Sequence, residues 1–328
     1  MRLISASVLC LAVALTQVAR AVVIAGDYTN TSDANVNTSP PADDFGFYNV
    51  GAVGTASAIY LGTDGQGNGW VLSADHVTLG PTTFSFPDAS NPNQIDTATY
   101  SIVNNSGILL KNYSGLGAGH NSDLILYKID PSSSSYGLPN LPRLNIGTAS
   151  PSVGNTVIGV GRGVDRAATV TNWDASWTPT NQPNPAFTGY TLNSTHTMRW
   201  GDNTVSMTNA DINVGTPSNP VYVNSFWTQF DQNGTANEFQ ATTGDSGGGV
   251  FQNVGGQWYL TGMIDAVTKV AAMQPSTDVV FGASTIIANL SAYQSQIRAI
   301  VPEPGTWSLV AAGALAWLSR YAIRRRAR

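Results

Sequence analysis

The sequence predicts an all-β protein, and three observations support that prediction. Gly is abundant, with 33 of 328 residues, and Lys is scarce, a composition typical of strands and turns and poor in helix formers. Short runs of apolar, β-branched and aromatic residues alternate with turns that contain Gly and Asn. Helical spacing of apolar residues is convincing in one segment, near residue 290. Many short strands at close spacing are typical of a β-sandwich or a β-barrel.

Six apolar runs are predicted to be strands, and one segment is predicted to be a helix. The strand runs are residues 58–61, 70–72, 124–127, 157–160, 258–260 and 279–281. The helix is expected over residues 286–300, where apolar residues recur every three to four positions. Residues 164–238 have the least regular pattern, so we expect little continuous secondary structure there.

The N-terminus has the three parts of a secretory signal peptide. Arg2 gives a basic start, residues 3–15 form an apolar core, and residues 19–21 supply the small residues of a cleavage site. The mature chain is therefore expected to begin at Val22. Residues 22–45, which are rich in Asn, Thr, Ser, Asp and Pro, are expected to form a flexible arm.

The C-terminus carries a second targeting pattern. Pro302-Glu303-Pro304 precedes the apolar stretch 307–318, and an Arg-rich tail follows. In every part this segment resembles the PEP-CTERM sorting signal of Gram-negative-type bacteria. The resemblance implies an apolar membrane helix at about residues 305–323, removal of the segment 301–328 by an exosortase-type enzyme, and delivery to the cell surface or extracellular matrix. A plain C-terminal membrane anchor is the alternative interpretation.

Charge and cysteine content argue against two classes of function. Seven of the 15 basic residues lie in the first 21 or the last nine positions, which leaves eight basic residues against all 20 acidic ones between them. This acidic body argues against a nucleic-acid partner, because phosphate binding needs a basic face. The one cysteine, Cys10, lies in the signal peptide, so the mature chain would have no disulfide and no catalytic thiol.

The most informative stretch is residues 243–250, where Ser246 follows an aspartate and lies between glycines. A serine hydroxyl is a weak nucleophile unless a base accepts its proton and donors stabilise the oxyanion that forms. Flanking glycines let the backbone turn sharply and let amide N–H groups point at one spot beside the hydroxyl. Taken alone, the stretch is equally well explained as a Gly-rich hairpin turn.

A serine nucleophile needs a base, and the base needs a carboxylate to orient it. His76 directly follows an apolar strand, whereas His120 lies in a Gly/Asn loop and His196 in a Thr/Ser-rich stretch. Asp123 opens the apolar run 123–129, where a carboxylate is costly unless it has a partner. Three scattered histidines make no H-E-x-x-H zinc site, so a metalloprotease is disfavoured, and we expect no metal and no cofactor.

The order His76, Asp123, Ser246 completes a resemblance to the trypsin/chymotrypsin-like serine proteases. The segment around His76 looks like the histidine motif of that family, the run from Asp123 is similar to its aspartate motif, and residues 244–250 resemble its serine motif. The resemblance covers about residues 47–300. Each motif alone is moderately specific, but three in the family order are strongly so.

This resemblance implies a fold and a domain division. The fold is all-β, with two antiparallel six-stranded β-barrels packed around a catalytic cleft and a C-terminal helix after the second barrel. The protease domain would span residues 46–300, with the first barrel at about 46–148 and the second at about 149–300.

The same resemblance implies the role of each site residue. Ser246 would be the nucleophile, His76 the general base and acid, and Asp123 the carboxylate that orients His76. The backbone N–H groups of Gly244 and Ser246 would form the oxyanion hole.

The resemblance also places residues at the substrate pocket. Gln240, six residues before Ser246, matches the floor of the primary specificity pocket, and a neutral floor argues against selectivity for Arg or Lys. Asp265 and Val267 are also expected to line the pocket. Val267 lies where the family keeps a glycine, so a narrow pocket is expected.

Two further features concern the environment of the site. Asp75 replaces the small residue that the family has before its histidine, and it either faces solvent or competes with Asp123 for His76. In many family members a newly cleaved N-terminus inserts and pairs with the aspartate before the serine, here Asp245. Signal cleavage would expose Val22, and residues 22–26 loosely resemble such a start.

The sequence therefore predicts an exported serine endopeptidase that cleaves protein or peptide substrates through an acyl-enzyme intermediate. Its expected partners are the substrate, an exosortase-type enzyme and, before processing, a membrane; nucleic acid is not expected. The alternatives are a catalytically inert protease-like surface or matrix binding protein, and an esterase with the same triad. The chain lacks a G-x-S-x-G elbow between a strand and a helix, which argues against an α/β-hydrolase.

Overall fold

The computed structural model describes residues 22–25, 36–216 and 218–301. The predicted signal peptide, the middle of the predicted arm and the predicted PEP-CTERM segment with its apolar helix lie outside these residues. Among the residues that the structure describes, no helix has both the length and the apolar character needed to span a bilayer.

The described residues form nineteen strands and one short α-helix. The N-terminal half contains β1 (Val23–Ile24), β2 (Val50–Val53), β3 (Ala56–Thr63), β4 (Gly69–Ala74), β5 (Thr82–Pro87), β6 (Ile95–Tyr100), β7 (Ile108–Lys111) and β8 (Asn121–Ile129). The C-terminal half contains β9 (Thr156–Gly161), β10 (Val164–Arg166), β11 (Thr171–Trp173), β12 (Phe187–His196), β13 (Arg199–Asn213), β14 (Tyr222–Gln229), β15 (Phe239–Gln240), β16 (Gly249–Val254), β17 (Gln257–Val267), β18 (Asp278–Val280), β19 (Ser284–Asn289) and α1 (Gln294–Ile300). All six runs predicted to be strands lie in strands, the last of them ending at Val280.

Seven N-terminal strands form one antiparallel sheet in the order β6-β5-β2-β3-β4-β8-β7. Its aromatic core packs Tyr60, Phe84, Tyr100 and Tyr127 together. After β6 the chain returns to β8 through a single bridge, Ile102 to Ile129, which curls the sheet. A single bridge between the described residues is too short to close the sheet into a barrel. The structure therefore has a curled seven-stranded sheet in place of the expected six-stranded first barrel.

Six C-terminal strands close into an antiparallel barrel in the order β13-β14-β19-β17-β16-β9. Aliphatic and aromatic side chains fill its interior; they include Val157, Val205, Phe226, Val250, Ile264 and Ile287. Burying such side chains is worth about 1.5–3 kcal/mol each, so the barrel has an ample core. This barrel and the short C-terminal helix agree with the fold that the resemblance implies.

The helix predicted over residues 286–300 is wrong in its first half. Ser284–Asn289 form β19, and the α-helix is confined to Gln294–Ile300. β19 pairs with β14 on one side and β17 on the other, and Ile286, Ile287 and Ala288 are all buried. A continuous buried run of β-branched residues fits a central barrel strand, and its helical spacing with the residues that follow is coincidental.

Residues 164–238 are more regular than their pattern predicts. They contain β13, which runs for 15 residues from Arg199 to Asn213, and β12, which pairs with β10, β11 and β18 in a small sheet beside the barrel. Trp177 stacks on Phe187 with 4.1 Å between ring centroids. These strands were not predicted because their exposed positions carry Asn, Thr and Ser, residues that favour turns when only the local sequence is considered.

Both ends of the predicted flexible arm are packed. β1 pairs with β15, and Val22 and Ile24 lie in the barrel core with Phe239. At the other end Phe45 packs against the rings of Trp200, Phe251 and Trp258. The arm was predicted to be flexible because most of its residues are polar. Its few apolar residues are ordered by contacts with the barrel rather than with their neighbours in sequence.

A shared core joins the sheet to the barrel. One buried cluster contains Ile59, Leu72 and Leu126 from the sheet together with Val223 and Met263 from the barrel. The turn after β4 and the loop before β16 meet at this junction, and the functional side chains lie on these two segments and on β8.

Candidate active site

The pairing of β4 with β8 brings His76 and Asp123 together. In this ladder Ala74 lies opposite Leu124, so the turn after β4 begins beside Asp123. The backbone N–H of Asp75 donates to the carbonyl of Asp123 at 3.1 Å, and the backbone N–H of His76 donates to the Asp123 carboxylate at 2.9 Å. The turn is thereby tied to the start of β8 at two points.

The loop that carries Ser246 is held against the N-terminal sheet. The Ser57 N–H donates to the carbonyl of Ser246 at 3.0 Å, and the Ser57 hydroxyl donates to the carbonyl of Gly244 at 3.0 Å. Gly244 and Gly247 have φ values of 97° and 85°, which favour glycine. A Cβ on Gly247 would lie 2.1 Å from the carbonyl oxygen of Ser57, so a side chain there would push the loop off the sheet.

Asp123, His76 and Ser246 form a continuous hydrogen-bonded chain. His76 Nδ1 lies 2.5 Å from Asp123 Oδ2, and His76 Nε2 lies 2.9 Å from Ser246 Oγ. The Asp123 side chain is 6% exposed and that of His76 is 47% exposed, so the carboxylate is enclosed while the imidazole faces the cleft. The structure thus brings together the three residues singled out by their order in the sequence.

The carboxylate changes the proton affinity of the imidazole. The hydrogen bond to Asp123 raises the pKa of His76, although partial burial opposes that shift; the charges of Asp123 and Asp75 act in the same direction as the hydrogen bond. His76 therefore accepts a proton more readily than an ordinary histidine, as a general base needs.

Asp75 does not replace Asp123 as the partner of His76. Asp75 is exposed at the turn, and the His76 ring bonds instead to Asp123. Partial burial and the nearby charge of Asp123 raise the pKa of Asp75. Of the two alternatives for this residue, the structure supports the one in which its side chain faces solvent.

The other two histidines lie elsewhere. His120 is exposed in the loop between β7 and β8, and its carbonyl accepts from Asn112. Nδ1 of His196 lies 3.2 Å from the carbonyl of Arg162. Among the described residues, His76 alone is hydrogen-bonded to Ser246 through its ring.

Two backbone donors beside Ser246 are free. Within the described part of the chain, neither the N–H of Gly244 nor that of Ser246 donates to a protein acceptor, whereas the intervening N–H of Asp245 donates to the carbonyl of Thr242 at 3.0 Å. Unpaired N–H groups on either side of a bonded one are available to an oxyanion formed at the serine.

A cleft of about 460 Å³ opens at the triad and is lined by His76, Ser246, Thr243 and Val267 among others. A smaller cavity of about 110 Å³ adjoins it and shares Val267 and Thr243. Gln240 lines this smaller cavity; it is 1% exposed, and its amide oxygen accepts no hydrogen bond from any described residue. Val267 is 45% exposed, which puts its side chain at the mouth of the cleft.

Asp265 is among the residues that line the cleft, but its side chain is turned away from it. Both carboxyl oxygens are inaccessible and the residue is 2% exposed. Its backbone faces the site instead, because the Ser246 hydroxyl lies 3.3 Å from the Asp265 carbonyl. The carboxyl group turns inward to the triad, and nitrogen or oxygen atoms of His76, Asp123 and Asp265 all lie within 4.8 Å of one another.

Those three residues are also the group whose side chains could hold a metal ion. Two ligands bound to one zinc ion at about 2.0–2.2 Å lie roughly 3 Å or more apart. The 2.5 Å contact between His76 and Asp123 is shorter than that and fits a hydrogen bond. The described arrangement therefore favours a proton network over a metal centre.

Asp245 is fully buried behind the loop. It accepts from the backbone N–H groups of Gly163 and Thr242, each at 2.7 Å, and from the backbone of Val22. Burial raises its pKa to about 6 despite these donors. A Cβ on Gly161 or on Gly163 would lie 2.2 Å from the Asp245 carboxylate, so both glycines are needed for that close approach.

Sequence reasoning missed the inward position of the Asp265 carboxyl and the glycines around Asp245. The inward position of the Asp265 carboxyl could have been predicted from the sequence. Asp265 interrupts an apolar run just as Asp123 does, and a carboxylate in such a run needs a partner. In the sequence, the glycines around Asp245 look only like a Gly-rich strand end. Their contact with Asp245 could not be predicted because Asp245 lies far along the chain, 82 residues after Gly163.

Similarity to known proteins does not decide the function of this chain. No family model matches the chain, and no curated protein matches it. Among solved structures, the chain is similar to neuropsin, a serine protease expressed in the limbic system of mouse brain, with 14% sequence identity and a TM-score of 0.46 over 80% of this chain and 97% of that chain. Values this low carry no inference about activity, so the chemistry rests on the geometry of the site.

Proposed function

We propose that this protein is a serine endopeptidase that cleaves peptide bonds through an acyl-enzyme intermediate. The observation that supports the proposal is the chain of contacts from Asp123 through His76 to the Ser246 hydroxyl, at the mouth of an open cleft. The alternative, an inert protease-like binding protein, has no such need for an aligned base and nucleophile.

Each group has a chemical role in this proposal. His76 Nε2 accepts the proton of Ser246 as the hydroxyl attacks the scissile carbonyl, and it later donates that proton to the leaving amine. Asp123 holds the Nδ1–H tautomer and stabilises the imidazolium that forms. The N–H groups of Gly244 and Ser246 stabilise the tetrahedral oxyanion, a contribution worth about 3–4 kcal/mol for each donor.

The pocket suggests a neutral side chain at the primary specificity position. Gln240, which lines the adjoining cavity, carries no charge, and its amide oxygen accepts no hydrogen bond from any described residue. The charged residues of the same lining, Lys269 and Asp278, have opposite signs. Val267 lines both the cleft and the adjoining cavity, which holds only about 110 Å³. We therefore propose a preference for uncharged, modest-sized side chains over Arg or Lys.

Labelling with a fluorophosphonate probe tests the proposal. We expect the chain beginning at Val22 to be labelled at Ser246 and the Ser246→Ala variant to be unlabelled, because the probe reacts with an activated serine. Ser114→Ala is the matched control, since Ser114 is exposed and is not among the residues that line the cleft, and it should be labelled like the wild type. Absence of Ser246-dependent labelling would favour the inert binding protein.

The pH dependence of kcat/KM should follow His76. Only the neutral imidazole accepts the serine proton, so activity falls as the pH drops through the pKa of His76, which lies above the ordinary value of about 6.5. Asp75→Asn removes a charge that raises this pKa, and we expect the acid limb to move to lower pH. Asp43→Asn, which changes an exposed carboxylate outside the groups acting on His76, should leave the limb in place. An unmoved limb in Asp75→Asn would contradict the assignment.

A further inference from the structure

A buried carboxyl group beneath the triad has no obvious partner. Asp265 lies at a register shift between Ile264 and Ala266 in the ladder of β17 with β19. Such a bulge turns a side chain out of the regular alternation. The Asp265 carboxyl is thereby directed inward, where both of its oxygens are inaccessible and accept no hydrogen bond from any described residue.

A carboxyl oxygen of Asp123 lies within 4.8 Å of one of Asp265, and the two side chains are in hydrogen-bonding contact. Two ionised carboxylates side by side in an enclosed site repel each other, and an ionised carboxylate without donors loses its solvation. A single proton shared by the pair removes both costs and turns the repulsion into a hydrogen bond.

The donors around the pair decide which carboxyl holds that proton. Asp123 accepts from the backbone N–H of His76 at 2.9 Å and from the His76 ring at 2.5 Å. Asp265 has no donor in the described part of the chain. Because the described protein donors reach Asp123 and none of them reaches Asp265, the shared proton belongs on Asp265.

We propose that Asp265 is held as a neutral carboxylic acid that donates a hydrogen bond to Asp123, and that it is a positioning residue for the triad. The inference rests on the proposed function and deepens it. The Asp265 carboxylic acid donates to a lone pair of an Asp123 oxygen that no other described donor reaches. This hydrogen bond fixes the plane of the carboxylate that orients His76. It does so without adding a second negative charge beside the imidazole.

The titratable groups that face Asp265 are few. Asp123 comes from β8, His76 from the turn after β4, and Tyr293 from the segment before α1, where the Tyr293 hydroxyl donates to Asn112 at 2.6 Å. Strands β4, β16 and β19 contribute no titratable side chain. Burial, followed by the charge of Asp123, raises the pKa of Asp265 well above its ordinary value, in agreement with a neutral acid.

The acid limb of the pH profile distinguishes a neutral Asp265 from an ionised one. Asp265→Asn removes no charge if Asp265 is protonated, so the acid limb set by His76 should keep its midpoint. Asp75→Asn, which removes a real charge near the same imidazole, is the matched comparison and should move the midpoint to lower pH. A downward shift in Asp265→Asn equal to that in Asp75→Asn would overturn the proposal.

The donated hydrogen bond is tested by comparing two substitutions. The amide N–H of Asp265→Asn can still donate to Asp123, whereas Asp265→Ala leaves the carboxylate without that donor. We expect Asp265→Ala to lower kcat by roughly 10- to 100-fold with a smaller change in KM, and Asp265→Asn to recover most of the loss. Equal losses in the two variants would contradict the role of the hydrogen bond.

A spectroscopic readout keeps the inference independent of activity. The infrared difference spectrum of wild type minus Asp265→Asn, recorded near neutral pH on the chain beginning at Val22, should contain the carbonyl stretch of a protonated carboxylic acid. Finding a carboxylate stretch in its place overturns the proposal even if the protein is a peptidase. A protonated-acid band in a protein that fluorophosphonate does not label would uphold the dyad and reject the proposed function.

Discussion

Ser246→Ala, His76→Ala and the double variant should each lower kcat for a peptide substrate by a similar factor, roughly 10⁴- to 10⁶-fold. The reason is that nucleophile and base act as one unit: the 2.9 Å contact between Nε2 and Oγ has no chemical use when either partner is missing. Steady-state kinetics of purified chains that begin at Val22 would measure the effect. KM should change far less than kcat, because the other residues that line the cleft are unchanged in these variants.

Non-additivity is the decisive part of that experiment. If the losses of the two single variants multiplied in the double variant, His76 and Ser246 would be acting independently, and the proposed mechanism would be wrong. His120→Ala serves as the matched control, since His120 lies in an exposed loop and should retain wild-type kcat.

The second large effect concerns the N-terminus. Asp245 is enclosed behind the serine loop and contacts the backbone of Val22, whose nitrogen is a peptide N–H when Ala21 precedes it. Cleavage before Val22 would turn that nitrogen into an ammonium group beside the carboxylate. We expect a chain extended by one or two residues before Val22 to lose activity by roughly 10²- to 10³-fold, because the buried carboxylate then lacks a counter-charge.

Two variants control this prediction. Val22→Ile preserves the amino terminus and should stay active, whereas Asp245→Asn in the chain beginning at Val22 should be as impaired as the extended chain, since each lacks one partner. Combining Asp245→Asn with the extension should add little further loss. Full activity of the extended chain would rule out the pairing.

Thermal stability gives an independent measure of the same pair. In the extended chain the pKa of Asp245 is raised to about 6, so the folded state binds its proton more tightly than the unfolded state, where the value is 3.8. The stability from that proton is complete below the unfolded value and is lost as the pH rises through about 6. The melting temperature of the extended chain should therefore fall, relative to that of the mature chain, between about pH 4 and about pH 7.

Local pattern predicted the strands that have a strong apolar run and failed where the partner is distant. The runs in β3, β4 and β8 are dense in β-branched and aromatic residues, which pack on a pleated surface wherever it lies. β19 was mistaken for helix because its spacing is compatible with both periods, and only its pairing with β14 and β17 decides between them.

The candidate triad was predictable because the segments that carry its three residues resemble, in the same order, the three motifs of one protease family. An aspartate that opens a buried strand is costly without a partner, whereas Ser246 among glycines is informative only together with His76 and Asp123. The structure adds their distances, and it also removes Asp75 as a competitor for His76, which no spacing along the chain could decide.

The sequence by itself determined the all-β class, the identity of Asp123, His76 and Ser246 as one candidate site, and the acidic body between two predicted targeting segments. The tertiary structure alone decided that the first half is a curled sheet, that Val22 reaches Asp245, and that the Asp265 carboxyl turns inward to Asp123 rather than outward to substrate. The physical reason is the range of the forces. Propensity and hydrophobic pattern act within a few residues, whereas the burial and pairing of a charge depend on strands that meet in space from distant parts of the chain.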